Sequence, residues 1–217
     1  MSSFKPNNLP EVRIEHSWLL TQQASEDLNK LHGDGTPLQS FEYYTDVADR
    51  YQKAWDVHGE KILEAMQEIL GMHFRQNTID VHVAPWFYAF SSPMVLGVRF
   101  NDDQLLATLT HEILHRLLTD NIETAYDTDY LALWKEMFGE DHSNITLVHI
   151  PVHAMSEAIF VDVLNRPELV VQDKEEVKDN PDYAAAWDYV ESEGYENIIS
   201  KLKLANFAID AHTKDDK

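Results

Sequence analysis

His111, Glu112 and His115 are the residues whose types and spacing could do chemistry. They belong to an HExxH run, His111-Glu112-Ile113-Leu114-His115, in a stretch that reads as helix. Histidines at i and i+4 lie on one helix face, so both imidazoles can reach a single zinc ion. The glutamate between them points toward the same cavity and can take a proton from an attacking water. The plainer alternative is an amphipathic helix that carries a His–Glu surface pair for ordinary reasons. Context favours the metal: Asn101-Asp102-Asp103 offers an N-cap, and Leu105, Leu106, Leu109, Ile113, Leu117 and Leu118 trace an apolar stripe on the same helix. The two histidines sit beside that core-facing stripe.

A catalytic zinc needs a third protein ligand and one open position. The chain contains no cysteine, which excludes a disulfide framework and leaves only His and carboxylate as ligands. Residues 116–123 hold no histidine, so the third ligand must come from a later element. His149, His153 and Glu157 are spaced by four and could share one helix face. Pro151 suits a first helical position, which predicts a helix from about Ile150 to Leu164. On that reading His149 lies outside the regular helix and fits a substrate-side or supporting role. His153 falls in the first turn, where the helix dipole favours the neutral imidazole a metal requires. His153 is therefore the expected third ligand, with Glu157 as the alternative ligand or a supporting residue. The remaining histidines, His16, His32, His58, His73, His82 and His142, lack ligand spacing. Asp120 or Asp162, and Tyr126 or Tyr130, are conceivable supports around the metal.

The motif and its surroundings resemble the zincin superfamily of metallopeptidases. Thr108, Leu109, Ile113, Leu114 and Leu117 fit the family's fuller signature, whereas Arg116 stands where an uncharged residue is usual. The resemblance implies zinc-dependent hydrolysis of a peptide bond in a peptide or protein substrate, with Glu112 as general base and His111 and His115 as ligands. It also implies a third ligand from a second helix, as in gluzincin-like families, and Glu157 followed by Ala158 looks like their glutamate. In such proteins an edge strand near the metal pairs with the substrate backbone, and Trp86–Phe90 or Met94–Phe100 are the candidate edges. Two alternatives remain open: a metal-binding relative that acts through a protein partner without peptidase activity, or an acidic decoy that binds a basic partner.

The elements that must position these residues can be read from the pattern. Val12, Ile14, His16 and Trp18 alternate as a short strand would, and a helix through Thr21–Leu31 follows. Apolar residues from Phe41 to Leu70 recur at helical spacing, broken near Gly59. Ile79, Val81 and Val83 alternate before Pro85, and Trp86–Phe90 and Met94–Phe100 follow as further strands around a Ser91-Ser92-Pro93 turn. A helix is expected over Asp129–Phe138 within an acid-rich region from Glu123 to Asp141, and two more over Pro181–Phe207 with a break at Gly194. The fold class that emerges is α+β: a mostly helical zincin-like domain with a small, mainly antiparallel sheet before the HExxH helix. One domain is expected over residues 11–207, between flexible tails at 1–10 and 208–217.

Composition narrows the function further. A hydrophobic content of 44% with 11% aromatics in 217 residues is enough to build a core. The formal net charge of −21 argues against nucleic-acid or anionic-membrane partners. No run of 18 apolar residues is present, so no membrane span is expected, and the polar N-terminus makes the cytoplasm the default expectation.

Overall fold

The structure is a computed structural model, and it describes residues 9–32, 38–120 and 130–215. The chain forms two compact units, Met1–Glu60 with Gln76–Arg116 and Lys61–Arg75 with Leu117–Lys217. The division falls inside the helix that carries the HExxH run.

In the first unit, strand β1 (Glu11–His16) leads into helix α1 (Trp18–His32), and helices α2 (Phe41–Asp56) and α3 (Gly59–Leu70) follow, α3 crossing into the second unit. Strands β2 (Thr78–Val83), β3 (Ala89–Ser91) and β4 (Met94–Leu96) then precede helix α4 (Asp102–Asp120). The break expected near Gly59 is present, and packing requires a glycine there. A Cβ at Gly59 would lie 2.3 Å from the Trp55 indole nitrogen, so a side chain there would displace a buried Trp.

The four strands run in the order β1-β2-β4-β3. β1–β2 and β2–β4 are parallel, and only the β3–β4 hairpin is antiparallel. The sheet is thus mixed, and the antiparallel arrangement expected from the sequence is confined to that hairpin. The reason is the connection between β1 and β2: a helical crossover returns the chain to the same end of the sheet and makes the pair parallel. Val12 and Ile14 of β1 and Ile79, Val81 and Val83 of β2 are buried, as strand alternation requires. α2 packs on β1, and its Gln52 side chain completes that edge. The Gln52 carbonyl accepts from Ile14 N at 2.8 Å while its amide donates to Val12 O at 3.2 Å. One side-chain amide thus stands in for a neighbouring strand's peptide.

The second unit is helical: most of α3, the end of α4, α5 (Tyr130–Phe138), α6 (Asn144–Ala158), a π-helical turn (Ile159–Val163), α7 (Glu168–Val177), α8 (Pro181–Glu193) and α9 (Tyr195–Asp215). α6 is its central element, packed by α5, α8 and α9. Leu147, Ile150, Val152, Ala154 and Met155 on α6 are fully buried. By composition Asn144–Val163 is long and apolar enough to cross a membrane, yet 72% of it is buried inside the protein and a core helix meets the same test. α7 was not expected, and α9 runs on to Asp215 where a tail was expected from 208. Residues 1–8 of the expected tail and 123–129 of the acid-rich region lie outside the described residues.

Candidate metal centre

α4 begins where the sequence places its cap. Asn101 Oδ1 accepts from Gln104 N at 2.9 Å, and Gln104 Oε1 accepts from Asn101 N at 3.1 Å, a reciprocal capping box. Asp102 and Asp103 occupy the first turn, where their charge complements the helix dipole. Arg50 of α2 ties this end down, donating to Asp102 Oδ1 and to Phe100 O, each at 2.9 Å. The buried Tyr51 hydroxyl donates to Gly97 O at 3.0 Å and accepts from Phe100 N at 2.9 Å. The segment that feeds α4 is therefore held by two adjacent α2 side chains.

Two turns further on, the i, i+4 spacing has the expected result. His111 Nε2 and His115 Nε2 lie 3.1 Å apart, with ring centroids 4.8 Å apart. Two imidazole lone pairs facing each other at that distance repel, so the pair must share a proton or a cation. Metal–nitrogen bonds of about 2.05 Å at tetrahedral angles put ligand nitrogens roughly 3.3 Å apart, close to the separation observed. His111 is buried and His115 half-buried. Glu112 is buried, and that burial pushes its carboxyl up to about 7.

The third nitrogen comes from α6. Among the described residues, His111, His115 and His149 form a group whose ligand atoms all lie within 4.8 Å of one another, close enough to hold a metal ion. His149 Nδ1 donates to Ile145 O at 2.7 Å, one turn back on its own helix. That bond fixes the tautomer and leaves Nε2 as the ring's lone-pair atom, the state a metal-ligating histidine needs. Burial also pulls the His149 pKa down, which favours the neutral ring.

The sequence placed His149 in a supporting role and His153 on the metal, whereas the structure groups His149 with the HExxH pair. The difference comes from where α6 starts. Ser143, not the residue before Pro151, is the N-cap, its Oγ accepting from Thr146 N at 3.0 Å. Pro151 therefore lies inside the helix, removing one backbone hydrogen bond in a buried setting, and His149 is fully helical. His153, one turn along, is fully buried and stacks on Trp187 of α8 with centroids 4.3 Å apart and a 12° interplanar angle. Glu157 is half-buried; burial raises its pKa, and the surrounding charges that act on it are Lys174, Glu191, Glu196 and Asp162. Asp162 accepts from the Tyr195 hydroxyl at 3.0 and 3.1 Å. The side chains of Asp120 and Tyr130, and Tyr126 altogether, lie outside the described residues.

Of the two candidate edge strands, β4 is interior and β3 is outermost. β3 is shorter than expected because Trp86, Phe87 and Tyr88 form the loop before it. Trp86 takes a left-handed φ of 74°, and all three aromatics and Phe90 are exposed. Gly97 permits this path: its N donates to Tyr88 O at 2.7 Å, and a Cβ there would stand 2.2 Å from Phe87 O.

Tyr183 was not singled out from the sequence, yet its ring lies 4.0 Å from that of His149, tilted by 39°. No local pattern announces such a contact between two helices. Compared with family models, curated proteins and solved structures, the chain matches none.

Proposed function

We propose that this chain is a zinc-dependent peptidase in which His111, His115 and His149 hold the ion and Glu112 is the general base. The observation that carries the reading is the group of three histidines, two of them flanking a buried glutamate on one helix. A three-histidine, thiolate-free set suits zinc, and a fourth position is left for water or substrate. Zinc bound there would supply Lewis-acid chemistry, polarising a carbonyl and acidifying water.

The chain's own residues would do the rest. The Ile145 carbonyl keeps the His149 proton on Nδ1, so Nε2 is the ligating atom. One Oε of the Glu112 carboxylate accepts a proton from the attacking water and returns it to the leaving amine. Its burial excludes bulk water from that proton path. The outermost strand β3 offers a backbone edge on which an extended peptide could add.

The test has two parts. Zinc per chain, measured by elemental analysis, should be near one in wild type and lost in His111→Ala. Glu112→Gln should keep both zinc and fold while abolishing cleavage of an unbiased peptide library. Zinc without cleavage in wild type would favour a non-catalytic metal-binding relative, and no zinc at all ends the reading.

A further inference from the structure

We infer that Tyr183 of α8 is a positioning residue for the third metal ligand, holding the His149 imidazole in its ligating rotamer before any metal arrives. The inference rests on the proposed function, since it assigns a role toward the same ion.

His149 is restrained in two independent ways. Its Nδ1–H is tied to Ile145 O at 2.7 Å, and one ring face is covered by Tyr183 at a centroid distance of 4.0 Å. The hydrogen bond alone leaves the ring free to tilt about its side-chain torsions. An aromatic ring against the face removes that freedom. The same histidine is 5.6 Å from His153, whose own ring is fixed by its stack on Trp187.

The placement of Tyr183 is itself built. Asn180 caps α8, its Oδ1 accepting from Asp182 N at 3.1 Å. Asp182 then ties the two helix starts together: its Oδ1 accepts from Ser143 Oγ at 2.5 Å and its backbone O accepts from Thr146 Oγ1 at 3.1 Å. Ser143 is the N-cap of α6 and Asp182 adjoins Tyr183, so the cap that sets the phase of His149 also fixes the residue that covers it. A ligand held in place before binding loses less rotamer freedom when the metal arrives, and this is the source of the affinity gain. Trp187 belongs to the same helix but stacks on His153 at 4.3 Å, a ring that Tyr183 approaches only to 6.1 Å.

That difference supplies the control. Zinc affinity is measured by competitive chelator titration, and apo-protein thermal midpoints are recorded alongside, for wild type, Tyr183→Leu, Tyr183→Phe and Trp187→Leu. Tyr183→Leu should weaken zinc binding by about tenfold, the lower end of what loss of a ligand's support does. Tyr183→Phe, which keeps the ring, should stay within roughly twofold of wild type. Trp187→Leu should lower the apo midpoint at least as much as Tyr183→Leu and leave zinc affinity nearly unchanged.

Several results overturn the inference: Tyr183→Leu binding zinc as tightly as wild type, Tyr183→Phe losing as much as Tyr183→Leu, or affinity following apo stability across all three variants. An unaffected Tyr183→Leu beside tight wild-type binding removes this inference alone. A wild type that binds no zinc removes the proposed function with it.

Discussion

Replacing His149 and His153 separately by alanine should split two quantities that a shared role would move together. His149 contributes one of three ring nitrogens that lie within 4.8 Å of one another. Structural zinc sites bind with about 10–16 kcal/mol spread over four ligands, or about 2.5–4 kcal/mol each. At about 1.4 kcal/mol per tenfold, His149→Ala should weaken zinc binding by roughly 60- to 700-fold. His153→Ala leaves all three nitrogens in place and should change zinc affinity by less than about tenfold. Its effect falls on stability. The ring is fully buried and stacked on Trp187 at 4.3 Å, so its removal deletes an aromatic pair worth about 1 kcal/mol and leaves a cavity. A total of about 2–4 kcal/mol is expected, comparable to other large-to-small core changes. Chelator competition reads the first quantity, and denaturant unfolding of the metal-free protein reads the second. If His153→Ala empties the site while His149→Ala keeps its zinc, the grouping of the three histidines is not the metal centre.

Tyr51→Phe removes one hydroxyl that serves both Gly97 O and Phe100 N, leaving two buried backbone groups without that partner. It should destabilise the protein by about 2–4 kcal/mol in chemical denaturation, and a change below about 0.5 kcal/mol would show that the segment before α4 is held by other means. Asp173 accepts from Trp187 Nε1 at 2.9 Å, and burial pushes its carboxyl up from 3.8 to about 6. The folded state thus holds the proton more tightly, so this residue's contribution to stability falls as pH rises from about 4 to 6. Asp173→Asn keeps an acceptor for the indole and removes the charge. It should be more stable than wild type by about 1–2 kcal/mol above pH 6. The advantage should vanish near pH 4, and a difference independent of pH across denaturation curves would contradict the assignment.

How much of this was legible in the sequence depended on how local each signal is. The α+β class, the HExxH helix, its cap at Asn101 and the break before Gly59 all follow from contacts within a few residues. They are present in the structure as expected. The direction of β1 against β2 was not local. The alternation of Val12 and Ile14 is the same in a parallel or antiparallel pair, and only the helical crossover decides between them. Two signals competed at α6. Pro151 read as a first helical position, yet Ser143-Asn144-Ile145-Thr146 carries the stronger information, because a serine that can reach Thr146 N satisfies an otherwise orphaned helix donor. The proline removes only one hydrogen bond, and the buried apolar faces on either side of it keep the helix continuous. Starting α6 at the serine gives His149 a helical carbonyl one turn back, at Ile145, to fix its tautomer. The grouping of His149, rather than His153, with the HExxH pair therefore follows from a capping hydrogen bond six residues before it.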